Sequence, residues 1–470
     1  MSDLPIQIEQ VENGLIKPED IRQPAPPTYS LIQRMRENNV PGLSIAVVQG
    51  GQIHWAKGYG VREIGKPAPV NAETLFQAAS ISKPMAALAA LRLVEQGQLD
   101  LDADVNEYLR SWRVPPVAGW QPRITLRQLF SHTAGATVGG FLGYSYDEAI
   151  PTVPQVLDGI APANSEPVRV DSLPGCQARY SGGGTTIAQL LIADVTGRPF
   201  PDVARELVFE PLGMTRSAYA QPLPERYHDN VAHAHYYTGQ PVAGGWHVYP
   251  ELAAAGLWTT PTDIARFIIA IQQAHLGQHP VISQTIANWM LTPHGETEGV
   301  QTGLGVFLIE EGVKAHFAHG GDNVGYKNRF VGYLDGGQGA AVMTSSDSGY
   351  DVALEIIAAV AKAYNWPKFF DPLTVAESLP ENVTTFVGDY ELRPDYTLTV
   401  AYVDNTLTLR VPGQPVLRLD YHSGDQFVVR GLNTTIAFNR DENGGLTGLK
   451  VEQDGQSQIA RRRAAPALPE

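Results

Sequence analysis

The most constraining feature of this sequence is a stretch over residues 80–96 that is apolar on most sides of a helix. Its large apolar side chains lie among alanines and are Met85, Leu88, Leu91 and Leu93. A helix with apolar residues all around it must be enclosed by other elements, so this one is predicted to be central and buried. Pro84 fits because it falls in the first turns, and Gly97 supplies the stop.

Strand patterns lie on both sides of this helix. Residues 42–48 are a β-branched run that the Gly50-Gly51 turn joins to residues 52–56, which predicts a hairpin. Further strands are predicted over 303–310, 315–319, 327–333 and 339–345. Helices are predicted over 27–38, from Thr262 onwards and over 350–364. Helices inserted between strands of one antiparallel sheet predict an α+β fold, with a helical subdomain within residues 100–300.

The composition changes after this part of the chain. Residues 365–382 are rich in proline and polar residues and are interpreted as a linker. Beyond them only short alternating strands are predicted, at 397–402, 406–411, 426–430, 434–439 and 446–452. A turn at Asp404-Asn405 joins the first two into a hairpin, and the whole predicts a small all-β barrel. The predicted domains are therefore 1–366, a linker over 367–382, a barrel over 383–463 and a tail over 464–470.

Charge and composition limit which partners the protein can bind and in which compartment it is expected. The net charge of -15 and a pI near 5.3 argue against nucleic acid as a partner, since phosphates require a basic surface. No apolar run approaches the roughly 20 residues of a membrane helix. Cys176 is the single cysteine, which excludes an internal disulfide. The first residues do not read as a signal peptide, so a cytoplasmic location is expected, or a periplasmic one if a leader was removed.

Ser80 and Lys83 open the apolar helix, three residues apart and hence on one face. A serine hydroxyl is a weak nucleophile that needs a base within hydrogen-bond distance. A lysine serves as that base only if burial and nearby positive charge lower its pKa towards neutrality. The start of a buried helix offers burial, and its free N–H groups can hold a developing oxyanion. Alone, the pair is equally consistent with an N-cap serine and a surface lysine.

A second element is Tyr180, which enters the glycine-rich segment 181–184 ahead of a helix predicted over 187–195. A tyrosine at such a bend can project its hydroxyl into a cleft. A neighbouring Lys83 ammonium would lower the tyrosine pKa from about 10, so that the phenol could relay a proton. Alone, Tyr180 would more often be a loop residue that caps the core.

A third element is His319, which is predicted to end an apolar strand and is followed by Gly320, Gly321 and Asp322. Glycines allow a substrate to lie against a strand edge, and the Asp322 N–H could then be an oxyanion donor. Alone, a His-Gly-Gly sequence is usually only a turn.

In this order the three elements resemble the serine β-lactamase and penicillin-binding family, specifically its class C and DD-peptidase branch. Residues 124–135 read Ile-Thr-Leu-Arg-Gln-Leu-Phe-Ser-His-Thr-Ala-Gly and are similar to that branch's I-T-L-R-x-L-L-x-H-T-S-G stretch. Residues 209–214 and 256–260 also fit. The resemblance covers residues 25–362, and the C-terminal barrel resembles the lipocalin-like domain that accompanies some of these peptidases.

The resemblance implies a role for each motif residue. The implied catalytic residues are Ser80 as nucleophile, Lys83 and Tyr180 as general base and acid, and His319 at the position of the family's K-T-G lysine. The implied oxyanion hole is formed by the N–H groups of Ser80 and Asp322. The implied substrate-binding residues are Gly182, Gly320 and Gly321.

Two departures from the family pattern bear on the substrate. Y-x-N becomes Tyr180-Ser181-Gly182, which removes an amide, and K-T-G becomes His319-Gly320-Gly321. The second change replaces a permanent charge with one expected to titrate near neutral pH. Both changes weaken the case for a true β-lactamase and are typical of the branch's esterases and peptidases. His319 is hypothesised to recognise a substrate carboxylate or to steady the Tyr180 hydroxyl.

The expected function is a serine hydrolase that acts through a Ser80 acyl-enzyme and needs no cofactor. An amino- or D-amino-acid peptidase on small peptides or amides is favoured, and a carboxylesterase or weak β-lactamase is the alternative. A non-catalytic ligand-binding sensor and a homo-oligomer are both left open. Zinc at His228, His233 and His235 is disfavoured because no H-E-x-x-H or cysteine set accompanies them. His132 is interpreted as structural, in a loop that braces the cleft.

Overall fold

The computed structural model describes residues 4–17, 20, 26–297, 299–309, 315–367, 376, 378–394, 396–412, 416–429, 434–441, 443–453 and 456–463. The chain divides into two compact units. One comprises Met1–Leu15 with Ser30–Phe369, and the other Ile16–Tyr29 with Phe370–Glu470. Most of the predicted linker and all of the predicted tail 464–470 lie outside the described residues. The predicted domain boundaries therefore stay predictions.

The first unit is built on an eight-stranded antiparallel sheet. In spatial order its strands are β2 (Gln52–Gly60), β1 (Gly42–Gln49), β11 (Gly339–Thr344), β10 (Tyr326–Tyr333), β9 (His316–Asn323), β8 (Phe307–Ile309), β7 (Val300–Thr302) and β6 (Gly295–Thr297). A small second sheet consists of β3 (Phe76–Gln77), β5 (Leu257–Thr259) and β4 (Ala218–Tyr219). The first two strands form the predicted hairpin, with Gly50 and Gly51 at positive φ in its turn.

Helices cover both faces of the large sheet. They are α1 (Leu4–Glu12), α2 (Leu31–Glu37), α3 (Ser82–Glu95), α4 (Leu126–Phe130), α5 (Val153–Asp158), α6 (Gly182–Thr196), α7 (Phe200–Ala204), α8 (Leu252–Ala255), α9 (Pro261–His275), α10 (Gln284–Leu291) and α11 (Gly349–Ala363). On one face α1, α2 and α11 share a core with Ile45 and Val47, and on the other α9 packs on Ala46 and Val48. With both faces covered, β1 and β11 are buried almost throughout. The α+β fold is confirmed.

The long apolar helix is confirmed as the centre of this unit. Eleven of its residues, from Ser82 to Leu93, are buried, and the core around it draws on both the helices and the sheet. A single 3₁₀ turn, Ala79–Ile81, precedes α3, so Ser80 lies just before the α-helix rather than in it. Gly97 follows at φ +71°, as its predicted role as a stop requires.

Two predicted strands of this unit have different bounds in the structure. The strand expected over 303–310 is only Phe307–Ile309, with Glu310 outside the described residues. The strand expected over 315–319 continues to Asn323 because its glycines pair with β10, Gly320 opposite Arg329 and Gly321 opposite Asn328. Glycine is a poor strand former, and this concealed the extension in the sequence.

The second unit is a closed eight-stranded antiparallel barrel, which confirms the predicted small all-β barrel. Its strands are β12 (Gly388–Arg393), β13 (Tyr396–Val403), β14 (Thr406–Arg410), β15 (Leu417–Ser423), β16 (Gln426–Val429), β17 (Thr434–Arg440), β18 (Leu446–Gln453) and β19 (Gln456–Arg462). The predicted hairpin is β13–β14, with Asp404 and Asn405 both at positive φ. Three strands were not predicted from the sequence: β12 and β19, whose pairing closes the barrel, and β15.

In the described residues no helix is both long enough and apolar enough to cross a bilayer.

Candidate active site

Ser80 projects from a tight turn that ends directly at the buried helix. Ala79, just before it, has φ +52°, a region that costs energy for any residue with a Cβ. The Ser82 hydroxyl donates a hydrogen bond to the Ala79 carbonyl (2.5 Å) and accepts one from the Leu257 N–H (3.0 Å). These bonds fix the turn, so that Ser80 is held half-buried at the surface of the core.

Lys83 lies one helical turn from Ser80 and is in contact with it. Its Nζ is 2.8 Å from the Ser80 Oγ and 2.9 Å from the Ala254 carbonyl oxygen. The side chain is only 2% exposed, and this burial lowers the pKa of Lys83 to about 7. The predicted fall towards neutrality is present and is caused by desolvation rather than by a nearby positive charge. A substantial fraction of Lys83 is therefore an uncharged amine near pH 7.

Tyr180 lies next to Ser80 and Lys83, as the sequence predicted. Its hydroxyl hydrogen-bonds with Ser80, and the Lys83 Nζ lies 4.9 Å from the centre of its ring. The predicted lowering of the tyrosine pKa is wrong. Desolvation of the hydroxyl outweighs the hydrogen bond with Ser80 and raises the pKa of Tyr180 well above its usual value. The phenol is thus protonated at all ordinary pH values and can donate.

The glycines after Tyr180 form the first turn of α6 rather than a bend, which corrects the sequence interpretation. Ser181 is the N-cap, and its hydroxyl accepts a hydrogen bond from the Gly184 N–H (2.9 Å). A Cβ on Gly183 would lie 2.7 Å from the Thr137 carbonyl oxygen. The small residues therefore allow the loop at 137–141 to lie against the helix start. Gly182 is buried there, and its predicted contact with substrate stays a prediction.

His319 is 3% exposed and lies near Tyr180, with the two ring centres 6.2 Å apart. Burial, with a smaller effect of the Lys83 charge, lowers the pKa of His319 to about 3. The expectation that it titrates near neutral pH is therefore wrong. Its Nδ1 lies 2.6 Å from the Gly320 carbonyl, which can only accept, so Nδ1 carries the proton. Nε2 is then an acceptor, is buried and has no partner among the described residues.

Beyond Ala318, the edge of strand β9 beside the Ser80 turn pairs with no other strand of the described residues. β8 pairs with β9 only as far as Ala318, and a Cβ on Gly321 would lie 2.1 Å from the Ala78 carbonyl oxygen. Asp322 lies opposite Lys327 in the β9–β10 ladder, next to the pair that closes the hairpin. Because bonded and non-bonded pairs alternate, the Asp322 N–H points away from β10, towards that edge.

The comparisons with known proteins agree with this geometry. A family model described as Beta-lactamase matches residues 30–365. The chain belongs to the beta-lactamase family. It is 33% identical over 212 residues to the Esterase EstB of Burkholderia gladioli, covering 42% of this chain and 53% of that protein. It is 22% identical to Penicillin-binding protein 4* of Bacillus subtilis over 458 residues, covering 92% of this chain and 98% of that protein.

Among solved structures, the fold is similar to that of a D-amino acid amidase from Ochrobactrum anthropi SV3 complexed with L-phenylalanine. The TM-score is 0.60 at 21% identity, and the match covers 77% of this chain and 99% of that one. Identity at that level shows a common fold only. As a member of the beta-lactamase family, the protein is a serine hydrolase, while its substrate and the role of each residue stay open.

Two contacts at this site were not identified from the sequence. The Ala254 carbonyl that binds Lys83 has no side-chain signature, because any residue could supply it. Asn323 directly follows Asp322 and donates hydrogen bonds from Nδ2 to Gln77 Oε1 (2.8 Å) and to the Ala255 carbonyl (3.1 Å). Its position next to the His-Gly-Gly element was the one signal that could have pointed to it.

His132 braces Tyr180, in agreement with its interpretation as a structural residue. The two ring centres are 4.4 Å apart, and His132 Nδ1 accepts a hydrogen bond from the Ser181 N–H (3.2 Å). Burial, followed by the charge of Lys83, holds the pKa of His132 well below its usual value. Lys83 is thus surrounded by groups that are neutral near pH 7.

The three histidines weighed as a zinc site are engaged with other parts of the protein. His228 Nε2 lies 2.9 Å from the Leu223 carbonyl oxygen, and His235 Nδ1 lies 2.9 Å from the Ser345 carbonyl oxygen. His233 lies 3.3 Å from a Glu63 carboxylate oxygen. Across the described part of the chain, no three side chains of the metal-binding kinds cluster together.

Proposed function

We propose that this protein hydrolyses small peptides and amides through an acyl-enzyme formed on Ser80. The observation that carries the proposal is the 2.8 Å contact between the Ser80 hydroxyl and the buried amine of Lys83. A hydroxyl beside an amine that is partly uncharged near neutral pH has the base that a serine nucleophile requires. Tyr180 on the same hydroxyl supplies a protonated partner.

The proposed reaction has two balanced halves. Lys83 accepts the Ser80 proton while Oγ bonds to the substrate carbonyl carbon, and the oxyanion is held by the N–H groups of Ser80 and Asp322. The bond between the carbonyl carbon and the leaving nitrogen then breaks as Tyr180 donates its proton to that nitrogen and regains one from Lys83. Water next attacks the acyl ester, its proton passes to the same pair, and the acid leaves as Ser80 regains its hydrogen.

The substrate class follows from His319. A neutral imidazole whose only free nitrogen is an acceptor cannot donate a hydrogen bond to a carboxylate. It can accept one from an N–H group of a substrate or from the Tyr180 hydroxyl. We therefore favour substrates with an amide or amine near the scissile bond, as in an amino- or D-amino-acid peptidase, over cell-wall peptides that end in a free carboxylate.

A carboxylesterase is the second candidate. It is favoured by the 33% identity to an esterase over 212 residues of this chain. The same acyl-enzyme serves both reactions, and esters demand less of the general acid because an alkoxide leaves more readily than an amide anion. A sensor without turnover is disfavoured, because the contacts among Ser80, Lys83 and Tyr180 that catalysis requires are all present.

The test combines labelling with matched substrates. A fluorophosphonate is expected to react stoichiometrically, and mass spectrometry is expected to find it on Ser80. Turnover would then be compared for L- and D-aminoacyl p-nitroanilides, the corresponding p-nitrophenyl esters, dipeptides with free or amidated C-termini, and a chromogenic β-lactam. Hydrolysis of anilides and amidated peptides supports the peptidase. Turnover restricted to esters would support the carboxylesterase, and an unlabelled, inactive protein would refute both.

A further inference from the structure

The orientation of the Lys83 amine depends on one backbone carbonyl. An uncharged amine has two hydrogens and one lone pair, and the Ala254 carbonyl can only accept, so it takes one hydrogen. The lone pair of Lys83 can then face the Ser80 hydroxyl. In the described part of the chain Lys83 has no other hydrogen bond. The placement of the Ala254 carbonyl therefore decides whether Lys83 can act as a base.

That carbonyl belongs to α8, a helix too short to hold its own shape. It spans only Leu252–Ala255, and isolated helices below about 12 residues are marginal in water. Side chains from other elements hold its two ends. Gln189 binds the start, accepting from the Ala253 N–H (2.9 Å) and donating to the Pro250 carbonyl (3.1 Å). Asn323 holds the end by donating to the Ala255 carbonyl (3.1 Å).

The Asn323 amide is restricted to a single orientation. Its NH₂ group faces two acceptors, the Ala255 carbonyl and Gln77 Oε1. Gln77 cannot turn its own amide around, because its Nε2 donates to the His247 carbonyl at 2.6 Å. Reversing Asn323 would place an oxygen against both acceptors. Asn323 is 3% exposed, so water cannot replace the lost bonds.

Asn323 also lies on the strand that is proposed to supply the oxyanion donor. It directly follows Asp322, on the part of β9 that approaches the Ser80 turn most closely, where Gly321 meets Ala78. One side chain thus connects the segment that orients the base with the segment that would bind the oxyanion.

We infer that Asn323 is a positioning residue, which holds α8 against β9 so that the Ala254 carbonyl directs the Lys83 lone pair at Ser80. The inference depends on the proposed function, since it assigns Lys83 the role of base. Asn323 touches no reacting atom and acts only through Ala254.

The decisive variant is Asn323→Asp, which keeps the shape and replaces the NH₂ group with oxygen. A carboxylate would repel both acceptors and would add a negative charge near Lys83, raising its pKa. We expect kcat/KM for an activated ester to fall 10- to 100-fold at pH 7, with the rising limb of the pH profile moved upward by at least half a unit.

Asn328→Asp is the matched control. Asn328 is 1% exposed on the neighbouring strand, and its Nδ2 donates to the backbone carbonyl of Gln77 (2.7 Å). Among the described residues it forms no hydrogen bond with α8. This variant is expected to lose thermal stability and to keep the wild-type pH profile. If Asn323→Asp does not fold, Asn323→Ser, which retains a shorter donor, is expected to lose three- to tenfold in rate.

The outcomes separate the two hypotheses. Wild-type protein that is not labelled at Ser80 would refute the proposed function. Wild-type protein that is labelled, with a folded Asn323 variant whose rate is within twofold and whose profile is unchanged, would refute the inference alone. An equal change of the pH profile in Asn328→Asp would also refute the inference, because the effect would then come from a general loss of stability in the core.

Discussion

The two compact units bury different kinds of residue. The barrel core consists of aliphatic and aromatic side chains such as Phe386, Phe427 and Leu449, and Thr434 is the one buried polar residue among its described positions. The first unit buries Lys83, His132, His319 and Asn323 close together. Burying polar groups costs stability unless each is hydrogen-bonded, so a cluster of them indicates a site maintained for chemistry.

Positive φ values at residues other than glycine occur in both units. Among the described residues of the first unit, the non-glycine residues with positive φ are Asn39, Ala79, Ala118, His132, Val138 and Asn365. Two of them belong to the candidate site, since Ala79 precedes Ser80 and His132 packs on Tyr180. In the described part of the barrel, positive φ outside glycine is confined to the turn residues Asp404 and Asn405. Strain in the barrel shapes a hairpin turn, whereas strain at Ala79 shapes the turn from which Ser80 projects.

The largest expected effect is that of Ser80→Ala. Without the nucleophile no acyl-enzyme can form, so kcat/KM is expected to fall by at least about a thousandfold, and fluorophosphonate labelling is expected to disappear. Steady-state hydrolysis and intact-protein mass spectrometry measure the two losses. An unchanged thermal unfolding curve serves as the control, and undiminished hydrolysis would contradict the role of Ser80.

Lys83→Met separates activity from stability. Since Lys83 must be uncharged to act as a base, wild-type kcat/KM is expected to rise as the pH increases through about 7, and the variant is expected to lose about a thousandfold or more. The folded protein holds the lysine pKa near 7, against 10.5 for the free side chain. Its burial therefore costs stability fully below pH 7, and the cost vanishes as the pH approaches 10.5.

Lys83→Met is consequently expected to unfold at a higher temperature than wild type at pH 6 and to lose this advantage by about pH 10. Thermal unfolding of both proteins across that range measures the difference. A variant that is less stable than wild type at pH 6 would show that the buried amine stabilises the fold, and the contrast between the two units would then fail.

Much of the fold could be predicted because apolar periodicity is local. The hairpin at Gly50-Gly51, the buried helix α3 and the barrel hairpin each follow from residues adjacent in the chain. The convergence of Ser80, Lys83 and Tyr180 was also expected, although from the resemblance and motif order rather than from any local pattern. Strand β9 was predicted too short, because Gly320 and Gly321 are poor strand formers and their pairing depends on the distant strand β10.

The ionisation of the site could not be predicted from sequence. The Tyr180 pKa was expected to fall and instead rises, and His319 was expected to titrate near neutral pH and instead stays neutral. Both errors have one cause, since desolvation depends on how many distant segments enclose a group. Asn323 was missed for the same reason, because its importance comes from Ala255 and Gln77, which are 68 and 246 residues away.

A smaller effect is expected in the barrel core. Phe427 is fully buried and packs against Phe386 and Phe438, with ring centres 5.0 and 5.7 Å away. Phe427→Ala is expected to destabilise the barrel by about 3–5 kcal/mol, since it removes a large side chain and leaves a cavity.

Because the apolar cluster of the barrel is separate from the one around α3, the rate of Ser80 labelling in the native Phe427→Ala protein is expected to stay within twofold of wild type. Denaturant unfolding and labelling kinetics measure the two effects, and a large fall in labelling rate would show that the barrel acts on the site.

The smallest effect is expected at the barrel turn. Asn405 has φ +60°, which asparagine tolerates, glycine adopts freely and alanine resists. Asn405→Ala is expected to lower the stability of the barrel by about 1–2 kcal/mol, whereas Asn405→Gly is expected to change it by less. The Tyr402 hydroxyl donates to Asn405 Oδ1 (3.1 Å), and both variants lose that bond, so the difference between them isolates the backbone cost. Equal unfolding midpoints for the two variants would show that the backbone conformation at position 405 adds no measurable cost to this turn.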